Sequence, residues 1–390
     1  MGLIDKLKNK KLRQPQPQRK GPVWGGPEKE GITFSLLSRF LTCRERFRIL
    51  VVEGLKPVER WNHRIGYGNM WHVCEEVLAK GGDWSGSCAG GPLGDYSKEL
   101  CRKYPMDQAD IEKWYLVCRT QFPIYARHWR EHPDVLERTP LLQEQVFDVP
   151  YKLPSGRTVR LRGKWDSVDL IGKGKGAGIY LQENKTKGDI EPEQMRRQLT
   201  FDLQTMMYLV ALEQFRVHTN GSDAEKWPAF WKWCQQPIRG VRYNVVRRPL
   251  SGGRGTIKQH APTKSRPMGE STEDYYNRLR GIIDGSAEDA PGPEYFFMRW
   301  KTEISKADVD LFRKRCLDPI LEQLCDWWNW VFCPNTKGEY FDSSSGLHWQ
   351  HPFGCVNTID EYGHTDLDEY IRSGSEVGLA RTQNLFPELQ

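Results

Sequence analysis

The sequence of 390 residues contains no apolar run near the ~18 residues that a bilayer-spanning helix needs. Its opening segment, residues 1–11, also lacks the hydrophobic stretch of an export signal. Lys6 stands where an acylation signal after Gly2 would have Ser or Thr. No repeat with a period of ~20–50 residues is visible, which argues against a solenoid. We therefore expect a protein of the cytoplasm that binds no membrane.

Metal-binding cysteine pairs are also missing. The chain has ten cysteines, but none of them forms a Cys-x-x-Cys pair. A zinc ribbon or finger is therefore not supported. Because no export signal is present, we expect free thiols rather than a disulfide framework.

The net charge of the whole chain is only +6, but the positive charge is unevenly distributed. Acidic residues are scarce near the N-terminus. Residues 1–30 carry eight Lys or Arg against three Asp or Glu, with a Pro/Gln stretch at 14–18. This pattern predicts a mobile basic arm for which polyanions are suitable partners, and a solvated tail without function is the alternative. With 38% apolar and 28% charged residues, the rest of the chain is typical of a folded protein.

Hydrophobic periodicity predicts both helices and strands. Ser35 is the predicted cap of the first helix. The predicted helices are 35–55, 64–80, 107–129, 191–216, 272–283 and 305–332, and the predicted strands are 143–149, 158–170, 178–186 and 240–247. The first three strands should form an antiparallel meander. Helices, meander and strand on one core predict an α/β fold with a twisted mixed sheet.

Composition suggests four parts. Residues 1–30 would be the basic arm, and 31–247 the core. Residues 248–300, rich in Gly, Pro, Ser and basic side chains, are interpreted as an insertion. Residues 301–390 would form a helical and irregular extension packed on the core.

The residues that suggest chemistry lie in two neighbouring strands. Asp166 comes near the end of one predicted strand, and Glu183 and Lys185 share one face of the next. A Gly-rich turn at 172–178 joins the strands, so Asp166 should lie beside Glu183. Two adjacent carboxylates repel each other unless a proton or a cation lies between them, and Mg²⁺ prefers oxygen ligands. The pattern therefore predicts a divalent-metal site.

Two further pairs flank these strands. Gly68 and His72 precede on a predicted helix, and Gln204 and Tyr208 follow on another, where a spacing of four places them on one face. Taken alone, each has a structural interpretation: His72 as a core or surface histidine, and Tyr208 as a core tyrosine. Gln198 competes with Gln204, and Glu75 and Glu76 are interpreted as glutamates of a solvated face rather than metal ligands.

The series Gly-x3-His, Gly-x2-Asp, Glu-x-Lys and Gln-x3-Tyr resembles the PD-(D/E)XK nuclease superfamily. The resemblance is to the RecB-type branch, which includes phage recombination exonucleases and CRISPR-associated adaptation nucleases. It covers about residues 35–214, and it departs from the family motif in having Trp165 rather than Pro before Asp166. The resemblance implies a restriction-endonuclease-like core, with the insertion and the C-terminal helical extension added to it.

The resemblance also implies roles for individual residues. The metal ligands would be His72, Asp166, Glu183 and the backbone carbonyl of Asn184, holding one or two Mg²⁺ or Mn²⁺ ions. Lys185 would orient or help to deprotonate the attacking water and offset negative charge. Gln204 and Tyr208 would position the phosphate or the ligand shell. Arg196 and Arg197 are expected either to contact the DNA backbone or to form a salt-bridged helix face.

Some RecB-type nucleases also hold an iron–sulfur cluster. Cys43 lies where its first ligand would be, but after Cys333 only Cys355 remains. We therefore do not expect an iron–sulfur cluster in this chain.

The implied function is a metal-dependent DNA nuclease, specifically an exonuclease acting at DNA ends in phage-type recombination or repair. The implied partners are DNA and a strand-annealing recombination protein, and self-association is an option because ring-shaped members of the branch are oligomers. The alternative is a non-catalytic DNA-binding or assembly subunit that keeps the nuclease fold.

Overall fold

The computed structural model describes residues 22–57, 60–85, 91–218, 225–250, 256–264, 267–332, 379–381, 384–386 and 389. Residues 1–21 of the predicted basic arm lie outside the described residues. Cys88, Cys333 and Cys355 also lie outside them, and with the last two the C-terminal part of the iron–sulfur expectation. The seven described cysteines form no disulfide with one another. Within the described chain, no helix is long and apolar enough to cross a membrane.

Helices and strands alternate along the chain. The helices are α1 (Phe34–Thr42), α2 (Arg44–Phe47), α3 (His63–Ala79), α4 (Gly91–Lys103), α5 (Gln108–Trp129), α6 (Pro133–Leu136), α7 (Pro192–Leu199), α8 (Leu203–His218), α9 (Pro228–Trp233), α10 (Thr272–Asp284), α11 (Pro293–Phe296), α12 (Lys306–Phe312) and α13 (Asp318–Phe332). The strands are β1 (Leu55–Pro57), β2 (Arg138–Lys152), β3 (Thr158–Ile171), β4 (Gly178–Lys187), β5 (Ile238–Arg247), β6 (Phe297–Glu303) and β7 (Leu379–Arg381). Short 3₁₀ turns at Pro105–Asp107 and Gly174–Gly176 and π-helical turns at Arg48–Val52 and Arg313–Leu317 complete the described elements.

Five strands form the central mixed sheet, in the order β2-β3-β4-β5-β6. The β2/β3, β3/β4 and β5/β6 pairs are antiparallel, whereas β4 and β5 are parallel. A parallel pair needs a crossover connection, which α7, α8 and α9 supply. Strands β1 and β7 form a separate antiparallel pair. The sheet and its helices confirm the predicted α/β, restriction-endonuclease-like fold.

Helices pack on both sides of this sheet, around two apolar clusters. The first cluster lies between the sheet and α1, α8 and α13, and in it the rings of Phe147 and Trp165 stack with centroids 4.4 Å apart. The second cluster lies among α3, α5 and α10, where Trp71 packs edge-on against Phe122 at 4.9 Å. Apolar burial on both faces therefore stabilises the sheet that carries Asp166 and Glu183.

Several boundaries differ from the predicted ones. Helix α1 is capped by Thr33, whose hydroxyl accepts a hydrogen bond from the Leu36 amide, and not by Ser35. The helical stretch 191–216 is broken between α7 and α8 by a turn at residues 200–202. Helix α4 was not predicted, because its many Gly and charged residues obscure its apolar stripe.

Contacts within the fold cross residues 30 and 300, which were two of the predicted domain limits. Trp24, placed in the predicted arm, is fully buried, and its indole nitrogen donates to the Gly31 carbonyl at 3.0 Å. Strand β6 crosses residue 300 and pairs with β5, with Val245 opposite Met298. Leu279 of α10 is fully buried in the second cluster. Helices α10 and α11 and strand β6 of this segment are thus packed into the fold.

Candidate metal centre

The structure brings Asp166 and Glu183 together across the β3/β4 pair. Ser167 lies opposite Gln182 in this antiparallel ladder, which places Asp166 next to Glu183. The Asn184 amide donates to the Asp166 carboxylate, with the nitrogen 2.8 Å from Oδ2. The carboxylate is therefore fixed by the neighbouring strand, and its second oxygen, Oδ1, points toward α3.

His72 of α3 faces that second oxygen. Its Nδ1 lies 3.6 Å from Asp166 Oδ1 and 3.2 Å from Glu144 Oε1. Gly68, one turn earlier, lies against β4: a Cβ built there would be 3.4 Å from Thr186 Oγ1. That distance is close to ordinary van der Waals contact, so helix α3 packs directly on β4 here and His72 reaches the carboxylates.

Glu144 is the residue that the sequence did not single out. It lies on β2 between Gln143, which pairs with Ser167, and Gln145, which pairs with Trp165, so it is level with Asp166. Its φ of 46° is left-handed, which is uncommon for a residue with a side chain and is often retained at functional sites. The only sequence signal is an acidic residue in a predicted strand, and that does not distinguish Glu144 from Asp148.

His72, Glu144 and Asp166 together form a group suited to a cation. One ligand atom from each residue lies within 4.8 Å of the others, and within the described residues this is the cluster that could hold a metal ion. Two carboxylates and one imidazole are suitable ligands for Mn²⁺, and Mg²⁺ accepts the carboxylates with water completing its shell. The donor set thus fits a divalent ion.

Charges within this group perturb one another. Burial raises the pKa of Asp166 to about 7, and the nearby Glu183 and Glu144 add to the rise against the opposing effect of His72. Burial disfavours the charged form of His72, but Asp166 and Glu144 outweigh it and raise its pKa to about 9. Burial also acts against ionised Glu144, yet contacts with His72 and Lys164 hold its pKa below the ordinary value. Without a cation, the group therefore retains a proton near neutral pH.

We expect metal binding to release that proton. Because the pKa of His72 is about 9 and that of Asp166 about 7, a proton must leave before both can ligate an ion. The affinity for Mn²⁺ should rise as pH increases from 6 to 9 and fall as pH drops through 7. Calorimetric titration of Mn²⁺ in buffers of different ionisation enthalpy measures the released protons. An affinity independent of pH over this range would contradict the assigned ligand set.

Glu183 and Lys185 form the second half of the site. The Lys185 ammonium lies 2.6 Å from Glu183 Oε1 and donates to Gln204 Oε1 at 2.8 Å. Burial lowers the pKa of Lys185, but the Glu183 carboxylate more than compensates and the net pKa is raised. Lys185 is therefore a protonated side chain beside the metal group, and its orientation is fixed by Glu183 of β4 and Gln204 of α8. The raised pKa keeps Lys185 protonated in the metal-free site, and its role toward the attacking water stays a prediction.

Tyr208 lies one turn after Gln204 on α8, and its ring is buried. It packs edge-on against Phe147, with ring centroids 5.3 Å apart. Gly163 of β3 leaves the room for this packing, since a Cβ there would lie 2.5 Å from Phe147 Cζ and 3.0 Å from Tyr208 Cε1. Tyr208 thus contributes to the first apolar cluster, and its catalytic role stays a prediction.

The two predicted DNA-binding arginines lie exposed on α7. Arg196 Nη1 is 3.6 Å from Glu193 Oε1, and Arg197 Nε donates to the Glu193 carbonyl at 3.4 Å. Exposed pairs of this kind are weak and exchange readily for other anions. Arg196 thus forms a weak ion pair on this face and Arg197 a backbone contact, and contact of either residue with DNA stays a prediction.

The interpretation of Glu75 as a glutamate of a solvated face is wrong. Glu75 is buried rather than solvated, and the Asn244 side-chain amide lies 3.4 Å from its Oε1. Asn244 also donates to Asn184 Oδ1 at 2.9 Å. Glu76 does lie on the solvated face, paired with Lys80. The side chain of Asn184 therefore belongs to a buried polar network behind the metal group, while its backbone amide fixes Asp166.

Positive charge accumulates beyond Lys185 at the end of β4. The Arg248 guanidinium donates to the Thr186 carbonyl, with Nη1 2.9 Å from the oxygen. Partial desolvation by its surroundings, together with the cations Lys185 and Arg248, lowers the pKa of Lys187. Burial and the nearby Arg64 likewise lower the pKa of Arg248. This cationic edge, formed by Arg64, Lys187 and Arg248, can attract phosphate and was not apparent from sequence.

Comparison with known families agrees with this geometry. The family model of the PD-(D/E)XK nuclease superfamily matches residues 32–302. This span includes every member of the metal group, the Glu183–Lys185 pair and the strands that carry them. No curated protein matches the sequence. Because the match covers more than half of the chain, this protein belongs to the PD-(D/E)XK nuclease superfamily.

Proposed function

We propose that the protein is a divalent-metal-dependent deoxyribonuclease that hydrolyses phosphodiester bonds. The observation that carries the proposal is the close group of His72, Glu144 and Asp166 with the Glu183–Lys185 pair beside it. The superfamily has nuclease activity and uses divalent metals. Phosphodiester hydrolysis requires an activated water and positive charge near the phosphoryl oxygens, and this site contains groups for both.

A bound divalent ion would lower the pKa of a water and draw charge from the phosphate. Around it, Asp166 is fixed by the Asn184 amide and His72 is supported by Glu144. Lys185, held by Glu183 and Gln204, presents an ammonium that can donate to a phosphoryl oxygen as negative charge develops. The rigid attachment of these groups to β3, β4 and α8 keeps them oriented before substrate arrives.

We further propose an exonuclease of the RecB-type branch that acts at DNA ends in phage-type recombination or repair, with Mg²⁺ or Mn²⁺ as the ion. The resemblance in the motif series supports this assignment. Arg196 and Arg197 on α7 and the cationic edge at the end of β4 supply positive charge for the DNA backbone. A strand-annealing protein as partner, self-association and a cytoplasmic location complete the proposal.

The alternative is a DNA-binding subunit without activity. Its fold would not need two half-buried carboxylates and a histidine converging on one point, because such a group is costly unless a proton or cation compensates it. We therefore favour the enzyme.

The test uses 5′-labelled and 3′-labelled linear duplexes beside a closed circle, each incubated with Mg²⁺, Mn²⁺ or EDTA. Digestion of the linear duplexes alone, abolished by EDTA, is expected for an exonuclease, and the label released first shows its polarity. Cleavage of the circle would show an endonuclease. Binding of every substrate without any cleavage would support the alternative.

A further inference from the structure

An exposed aromatic side chain lies in the turn between α7 and α8. Phe201 is 53% exposed and its φ is 56°, in the left-handed region. A bulky residue rarely adopts this conformation because its side chain crowds the backbone. Strained positions of this kind persist only where the surrounding structure enforces them, and they concentrate at functional sites.

Both flanking helix ends enforce the turn. The Thr200 amide and hydroxyl donate to the Arg196 carbonyl at 3.0 and 2.7 Å. Asp202 caps α8 by accepting from the Thr205 amide at 3.2 Å. The Leu199 carbonyl accepts from the Tyr243 hydroxyl of β5 at 2.6 Å. The turn is therefore tied to the sheet, and the ring of Phe201 is presented to solvent at a set position.

The position of this ring relative to the candidate site suggests its ligand. Gln204, three residues later, accepts from the Lys185 ammonium. Arg196 and Arg197 lie exposed on the preceding helical turn. Phe201 thus lies in the turn that joins the helix carrying these arginines to the helix carrying Gln204, the partner of the Lys185 ammonium. A nucleotide chain offers a flat base between successive phosphates, whereas an apolar protein partner would have no use for flanking cations.

We propose that Phe201 is a stacking platform for a nucleobase next to the phosphate held at Lys185. The inference rests on the proposed nuclease function and adds a base-contacting residue to it. Stacking on an aromatic ring tolerates every base, so Phe201 would position the strand without selecting a sequence. The ring is 53% exposed in this turn, so that a base can reach it.

The test measures binding of a fluorescent single-stranded oligonucleotide to the full chain in EDTA, so that no cleavage occurs. A series of oligonucleotides carries one abasic nucleotide at successive positions. We expect Phe201→Ala to weaken binding of the intact strand about tenfold and Phe201→Trp to preserve it. One abasic position should lower the affinity of the wild type to that of Phe201→Ala for the intact strand. The same abasic oligonucleotide should not lower the affinity of Phe201→Ala any further.

Phe201→Gly separates stacking from a structural role. Glycine accepts the left-handed conformation, so this variant should melt about 2 °C higher than the wild type while binding DNA as weakly as Phe201→Ala. Met106→Ala, at another exposed apolar residue, is the matched control and should bind normally.

Unchanged binding by Phe201→Ala, or an equal further loss at every abasic position, would overturn the inference. Because binding is measured without metal, it is independent of activity. A wild type that binds but never cleaves would contradict the proposed nuclease while leaving the stacking result readable. A wild type that cleaves, with Phe201→Ala binding normally, would contradict the stacking platform alone.

Discussion

Glu183→Gln is expected to reduce the rate of DNA cleavage by on the order of 10³-fold. The substitution keeps the size of the side chain but removes the charge that holds the Lys185 ammonium, whose nitrogen lies 2.6 Å from Glu183 Oε1. It also removes negative charge beside Asp166 and His72, where the ion would bind. Loss of one group that stabilises developing charge alone costs about 10²–10³ in rate. Single-turnover cleavage of a labelled duplex at saturating Mg²⁺ or Mn²⁺ measures the effect.

Two further variants test whether the loss of activity arises at the Glu183–Lys185 pair. Lys185→Met should lose activity about as strongly while retaining DNA binding, because the ammonium acts on charge that appears during the reaction. Glu76→Gln, on the solvated face of α3, is the control and should cleave normally. Full activity in Glu183→Gln would refute the assigned centre, and an equal loss in Glu76→Gln would indicate a general defect in folding.

Glu144→Gln is expected to weaken the affinity for Mn²⁺ about 10–100-fold. Glu144 supplies one of the three converging donors, and its carboxylate also hydrogen-bonds His72 and pairs with Lys164, with Nζ 2.7 Å from Oε2. The amide removes charge from the cation site and leaves Lys164 without its partner. Calorimetry with Mn²⁺ measures the affinity, and cleavage at low and high Mn²⁺ should show partial rescue by excess metal.

Asp148→Asn provides the matched control for this prediction. Asp148 lies on the same strand, but its carboxylate pairs with Arg162, with Nε 3.2 Å from Oδ2. Its loss should leave the affinity for Mn²⁺ unchanged. If Glu144→Gln and Asp148→Asn bound Mn²⁺ equally well, Glu144 would not be a ligand.

The parts of the site that sequence could predict are those with short-range patterns. Period-two alternation placed Glu183 and Lys185 on one face, and the glycine-rich turn indicated that their strand pairs with that of Asp166. The structure has both strands in this arrangement. The helical spacing of Gln204 and Tyr208 likewise placed both on α8. These relations depend on residues only a few positions apart along the chain or on one tight connection.

The parts that sequence could not predict depend on register, backbone conformation or long-range packing. Glu144 faces His72 because of the β2/β3 register and a left-handed φ, neither of which is encoded in a residue type. Glu75 looks like a solvated helix residue until Asn244, 169 positions later, covers it. The sequence predicted one helix over 191–216, which would have placed Phe201 inside it. The structure has two helices, and Phe201 lies in the turn between them.

The two ends of the described fold close over each other. Trp24 and Trp328 meet with ring centroids 4.9 Å apart, and Trp327 packs on Phe40 of the first helix at 5.5 Å. The N-terminal aromatic residues are therefore covered by α13. This helix lies beyond residue 302, where the family match ends. During synthesis, the ribosome must release α13 before the aromatic residues near α1 are covered. A fragment stopped at residue 302 would leave these rings in water and would tend to aggregate.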